Sequence, residues 1–184
     1  KPNNLKGIVI GLGVVCTNQC SGAFSILNYS TAILEKSEGF QLDISTSTIV
    51  LGLLQILGTY SATLTVDRFG RKIVLLISAS GTAVGLLTAG VFDYLTYKFE
   101  FLKEYSWVLI LSLASVIYLA NMGVCTVCYV VLVEIIPIKV RAVATSLCLL
   151  ISSSLSFTQL KVFPILLESI GFYGLMWTFG TLMM

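Results

Sequence analysis

Histidine is absent from this chain, charge is scarce, and no loop is long enough to hold a soluble domain. Charged residues make up 11% of the 184, against about 25% in an ordinary water-soluble domain. With 57% hydrophobic residues and a mean hydropathy of +0.96, so little polar surface cannot cover a core in water. The chain is therefore expected to sit in a bilayer. Without histidine or paired carboxylates inside the apolar runs there is no nucleophile–base arrangement, so the chain is not expected to be an enzyme. The same lack removes any proton relay from this region. The five cysteines, Cys16, Cys20, Cys125, Cys128 and Cys148, all fall in apolar runs. There thiols act as small packing residues rather than as a disulfide framework. Cys125 and Cys128 share a helix face, but two thiols without histidine make a poor metal site, and neither metal nor cofactor is expected. A net charge of +2 is too small to argue for nucleic acid as a partner.

What stands out instead is Asp67-Arg68-Phe69-Gly70-Arg71-Lys72, a turn with four charges and a glycine between two long apolar runs. Such a turn cannot remain in lipid, so the chain leaves the membrane there and re-enters at once. Its basic residues place it on the cytoplasmic side. Apolar runs bounded by short polar turns predict an all-α membrane protein with helices at about 7–34, 47–66, 73–92, 106–133 and 142–167. A sixth begins near 171 and is cut off at 184. Seven of the eleven basic residues (Lys1, Lys6, Arg68, Arg71, Lys72, Lys139 and Arg141) lie at alternate ends of these helices. The opposite ends carry Lys36, Lys98 and Lys103 diluted by acidic side chains, so the amino terminus is expected to be cytoplasmic. Lys1-Pro2-Asn3-Asn4 is polar, runs directly into a full apolar span, and does not resemble a signal or transit peptide. The absence of an initial Met and the end inside an apolar run point to a piece of a longer polypeptide.

Advancing ~100° per residue reveals polar lanes on four of the helices. The first carries Asn18, Gly22, Ser25 and Tyr29, with Gln19 and Asn28 beside them. The second carries Thr48, Gln55 and Thr59; the fourth, Tyr118, Asn121, Cys125 and Cys128; the fifth, Thr145, Ser152, Ser156 and Gln159. The third has Gly81 and Gly85 at the spacing of close helix packing and no amide, so it reads as a supporting wall. Each buried amide could be satisfied by a neighbouring helix. Four lanes together favour a wet central cavity, where amides and hydroxyls suit a neutral, hydroxyl-rich solute because each donates and accepts.

Three motifs in register add a resemblance. Asp67-Arg68-Phe69-Gly70-Arg71-Lys72 resembles the D-R-x-G-R-[RK] loop of the sugar porters of the major facilitator superfamily. Glu134-Ile135-Ile136-Pro137-Ile138-Lys139-Val140-Arg141 resembles their E-x-x-P-x-x-x-R signature. Asn18-Gln19-Cys20-Ser21-Gly22, followed by Asn28-Tyr29-Ser30, is similar to their Q-Q-x-S-G helix. Order and spacing match helices seven to twelve of a twelve-helix transporter over essentially all of residues 1–184, closest to the insect facilitated trehalose transporters.

This resemblance implies the carboxy-terminal six-helix half of a major facilitator fold, completed by an amino-terminal half and placed as a multi-pass protein in the plasma membrane. It implies facilitated transport of a hexose or trehalose-like sugar by alternating access. Asn18, Gln19, Gln55 and Ser152 would then contact solute, with Tyr129 as a stacking surface. Asn28 and Tyr29 would sit near the outer gate. Asp67, Arg68, Gly70, Arg71, Glu134 and Arg141 would form the cytoplasmic gate, Asp67 bonding to the start of the next helix and Glu134 pairing with the arginines. The chain departs from the pattern in three places. Phe24 stands where the porters have asparagine, the Asn-Trp pair of helix eleven becomes Ser152-Ser153, and the prolines of helix ten are missing from Cys125-Thr126-Val127-Cys128-Tyr129. A helix without those prolines is expected to be straighter. A sensor or degenerate paralogue that no longer moves sugar is the alternative reading.

Overall fold

In the computed structural model, residues 2–36, 44–98, 106–138 and 140–183 are described, and among them every regular element is an α-helix. They are α1 (Pro2–Cys20), α2 (Ala23–Lys36), α3 (Ile44–Phe69), α4 (Arg71–Lys98), α5 (Ser106–Met122), α6 (Val124–Ile135) and α7 (Arg141–Leu182). Lys1, Lys103 and Lys139, used above to orient the chain, lie outside the described residues, as do the acidic Glu38, Asp43, Glu100 and Glu104 of the opposite ends. Among the described residues, five helical stretches are long and apolar enough to cross a membrane. The last, 42 residues long, would measure roughly 60 Å as a straight rod, twice the thickness of a hydrocarbon core. It bends at Gly171 (φ 78°, ψ 169°), which divides α7 into a long limb and a short one.

Two of the other crossings are also interrupted. The first breaks at Ser21-Gly22, where Gly22 takes φ 66°. The Ser21 hydroxyl donates to the Asn18 carbonyl at 2.6 Å and accepts the Ala23 N–H at 3.3 Å, so the interruption leaves fewer orphan backbone groups. A Cβ on Gly22 would fall 2.7 Å from the Phe179 ring, so both its backbone and its surroundings require glycine.

The fourth crossing corrects the expectation of a straighter helix. It breaks between α5 and α6 at Gly123 (φ −138°, ψ −70°) although no proline is present. The cause lies on α4. Ser78 Oγ donates to the Leu119 carbonyl at 2.5 Å and accepts the Val124 N–H at 2.9 Å, supplying bonds that a continuous helix would make internally. Thr126 Oγ1 donates to the Asn121 carbonyl at 2.7 Å from the other side of the break. An added Cβ at Gly123 would lie 2.2 Å from Ser78 Cβ, so the contact closes only with glycine there.

α4 supports the bundle without lining its cavity. Gly85 admits Val116 of α5, and Gly90 admits the Trp177 ring of the short limb of α7; Cβ atoms there would sit 2.6 Å from each. Leu86, Ala89, Val116, Leu175 and Met176 close this region with no more than 1% exposure, forming the largest buried cluster with Phe163 and Phe179. The opposite side of the bundle is unlike a water-soluble surface: Ile49, Leu53, Ile56, Tyr60 and Leu64 of α3 are all more than half exposed. Hydroxyls on such faces bond back one turn, as Thr59 Oγ1 does to the Gln55 carbonyl and Thr63 Oγ1 to that of Thr59. A polar group can face lipid only when it is already hydrogen-bonded in this way.

Ser78→Ala strips the Val124 N–H of its partner and is expected to lower stability by about 1–3 kcal/mol. Ser80→Ala, one turn face away and bonded only within α4, is expected to change it by less than about 0.5 kcal/mol. Denaturant titration of the full-length protein in detergent micelles measures both.

Candidate functional site

A cavity of about 570 Å³ opens between α1, α2, α3, α5, α6 and the long limb of α7. Asn18, Gln19, Gln55, Tyr129 and Ser152, drawn from α1, α3, α6 and α7, all line it. Asn121 and Cys125 flank the break at Gly123 and reach the same space, so the interruption of α5–α6 helps shape the wall. Ser153 and Ser156 of α7 complete the polar lining.

These polar groups are not equivalent. Gln19 Nε2 donates to Ser152 Oγ at 2.6 Å, and Ser156 Oγ donates to Gln19 Oε1 at 3.0 Å. Both ends of the Gln19 amide are therefore occupied by hydroxyls one turn apart on α7, which ties α1 to α7. Asn121 Nδ2 donates to the Ile117 carbonyl at 2.8 Å, leaving its Oδ1 open. The side-chain amides of Asn18 and Gln55 make no hydrogen bond to any described residue. Asn18 is only 8% exposed, so its amide can be satisfied only from the cavity.

The lanes read from helical periodicity do not all reach the cavity. The break at Ser21-Gly22 rotates α2 away from the α1 register. Ser25 is consequently buried with its hydroxyl unpartnered among the described residues, and Tyr29 turns toward α7. Gln159 is the second correction. The cavity-facing stripe of α7 centres near Ser153, Ser156 and Leu160, and Gln159 falls about 20° beyond Ser152 on the far side of that stripe. It borders a separate apolar crevice of about 400 Å³, with neither amide atom hydrogen-bonded among the described residues. Thr145 also lies off the cavity, with its hydroxyl buried and unpaired among the described residues.

Sequence reasoning left Ser156 out of the candidate site, although its i, i+4 relation to Ser152 marked it as able to share one partner. It also underweighted the apolar part of the lining. Phe24, Leu27, Leu149, Phe157 and Leu160 all border the cavity. Among the described residues, no group of three or more His, Cys, Asp or Glu side chains could hold a metal ion.

The expected gate residues separate into two places. At one end Tyr29 Oη donates to the Leu160 carbonyl at 3.1 Å, and its ring stacks on Phe163 at 4.8 Å. Asn28 Nδ2 donates back to the Phe24 carbonyl at 2.7 Å, within α2. At the other end the start of α1, the α3–α4 turn and the α6–α7 turn converge. There Gly7 faces Ile135 and Pro137, and Arg71 Nη2 meets Glu134 Oε1 at 2.9 Å. That pair is nearly half exposed and is worth no more than about 1 kcal/mol to stability. Arg141 Nε donates to the Ile136 carbonyl at 3.3 Å rather than to a carboxylate. Gly70 alone makes the turn, at φ 83°. Because α3 runs on through Phe69, Asp67 lies in its last turn, and the expected bond to the start of α4 is not made. Asp67 and Arg68 are exposed without hydrogen bond or ion pair among the described residues.

Residues 1–184 match the family described as "Sugar (and other) transporter". The chain belongs to that family. Similar sugar-transporter relatives are the "Facilitated trehalose transporter Tret1" proteins of Apis mellifera ligustica and Anopheles gambiae. The first is 31% identical over 99% of the chain and 36% of the relative; the second is 31% identical over 97% of the chain and 22% of the relative. The Bombyx mori protein of the same name is 28% identical over 97% of the chain and 35% of the relative. The chain thus spans about a third or less of these relatives' lengths. No solved structure matches. Within the family the helices described above form a half-bundle of the major facilitator type, an all-α membrane architecture.

The Gln19–Ser152–Ser156 cluster makes a sharp prediction. Gln19→Leu and the pair Ser152→Ala with Ser156→Ala are expected to destabilise the fold non-additively, with a coupling of about 0.5–2 kcal/mol. Asn18→Leu is expected to add independently to either. A double-mutant cycle on the detergent-solubilised protein measures the coupling.

Proposed function

We propose that the chain is the carboxy-terminal half of a facilitative sugar transporter that works by alternating access, with solute held near mid-membrane against a second half of the same polypeptide. The observation that carries this reading is the pair of unpartnered amides, Asn18 and Gln55, facing one cavity inside a lipid-spanning bundle. A buried amide left dry costs about 1–3 kcal/mol, so these two imply water or a solute that can replace it. The Tret1 relatives, named as trehalose transporters, support a neutral sugar as that solute.

Loop charge supports a cytoplasmic position for the Asp67–Lys72 turn and the amino terminus, and the plasma membrane is proposed as the site of action. The Arg71–Glu134 pair then lies on the cytoplasmic side, between the starts and ends of α4 and α6. An exposed pair of this strength suits a latch that opens in each cycle, because it can be broken at little cost. The mechanism uses binding and rocking only, with no covalent step. Phe24 within the cavity favours a second reading, a sensor that binds sugar without moving it.

Uptake of labelled glucose and trehalose by the full-length protein in vesicles is expected to be saturable and to show counterflow. Asn18→Ala and Gln55→Ala are each expected to raise the half-saturation concentration about three- to tenfold, the value of one uncharged hydrogen bond. Saturable binding without counterflow would establish the sensor and sink the carrier. With the native cysteines replaced by serine, a water-soluble maleimide is expected to label cysteines placed at 18 and 55 but not at Ile26, which has 0% exposure.

A further inference from the structure

We propose that the solute is amphipathic: a sugar bearing an apolar substituent, such as an alkyl or aryl glycoside, in preference to a free hexose or trehalose. This deepens the transporter reading and rests on it. The first argument is the polar capacity of the wall. Gln19, Ser152 and Ser156 are engaged with one another, and the Asn121 amide nitrogen is held by Ile117. Open hydrogen-bonding capacity remains at Asn18, Gln55, Asn121 Oδ1, Ser153 and the Tyr129 hydroxyl. This wall therefore offers a sugar a small set of polar contacts, and any hydroxyl held against its apolar part is left dry and resists entry.

The second argument is how the lining is distributed. The open amides come from α1, α3 and α5, whereas most of the large apolar side chains come from α2 and α7, Ile117 of α5 being buried. Phe24 and Phe157 are 46% and 64% exposed, and together with Leu160 they present apolar surface to the same cavity as the amides. Covering apolar surface with an apolar substituent gains about 25 cal/mol for each Å² removed from water. Covering it with hydroxyls gains nothing comparable. The cavity volume of about 570 Å³ falls within the range of about 300–1,000 Å³ typical of sites for drug-sized ligands. It accommodates a ring and its substituent side by side. The sugar face meets Asn18, Gln55 and Asn121, while the substituent lies on Phe24, Phe157 and Leu160.

The test is uptake and counterflow of phenyl glucoside, glucose and trehalose by the full-length protein in phosphatidylcholine vesicles. Saturable, protein-dependent flux separates carriage from passive leakage of the glycoside. The expected half-saturation concentration for phenyl glucoside is at least about tenfold below that for glucose, within the range one apolar contact provides. Phe24→Asn is expected to shrink that ratio to about threefold or less. Phe24→Leu keeps an apolar wall and is expected to preserve the ratio, which separates loss of the wall from loss of folding. Gln55→Ala weakens both solutes alike. Equal or better transport of glucose or trehalose by the unaltered protein overturns the amphipathic solute and leaves the sugar transporter standing. A preference that survives Phe24→Asn and Phe157→Ser together overturns it too, since those rings would then face the other half of the protein. Failure to move any of the three saturably overturns the transporter reading and this inference with it.

Discussion

Hydrocarbon offers a polar group no partner, and nearly every local feature of this bundle follows from that constraint. Helices form because they pair their own backbone. Exposed threonines and serines bond back to a carbonyl one turn away, which removes their cost before they meet lipid. Where the backbone departs from helix in the middle of a crossing, a neighbouring group repairs it. Ser21 does so beside Gly22, and Ser78 reaches across from α4 to Gly123. The second repair matters more, because it shows a helix broken without proline: a hydroxyl from another helix supplies the bonds that the break removes.

The same constraint separates the amides of the cavity into two kinds. Gln19 is held at both ends by hydroxyls of α7 and acts as a tie between helices. Asn18 and Gln55 have no such partner among the described residues and face the open space. A group that has found its partner within the protein shapes a wall. One that has not must take its partner from whatever enters. The sorting depends on neighbours rather than on residue type, since Asn18 and Gln19 are adjacent in the chain and have similar chemistry.

Much of this was legible from the residues alone. Asn18, Gln19, Gln55, Tyr129 and Ser152 come together in one cavity, and Gly81 and Gly85 belong to a helix that supports rather than lines it. The failures have a common origin. A lane drawn by helical periodicity holds only while the helix continues, so the lane of the first crossing ends at Gly22. Ser25 and Tyr29 then turn into the core instead of the cavity. Gln159 was misplaced by a few tens of degrees of azimuth, because Ser152 lies at the edge of the stripe and not at its centre. The absence of prolines concealed the break at Gly123, whose cause sits 45 residues earlier at Ser78.

Sequence by itself determined an all-α membrane architecture, the charged turn between its apolar runs and membership of the sugar transporter family. These depend on composition, run length and short motifs, all of them local along the chain. Only the tertiary structure decided which helices break, which amides are already paired, and which apolar side chains share the cavity with them. Those outcomes depend on the azimuth of each side chain and on which neighbour stands within hydrogen-bonding distance, about 3 Å. Residues far apart in the chain set both.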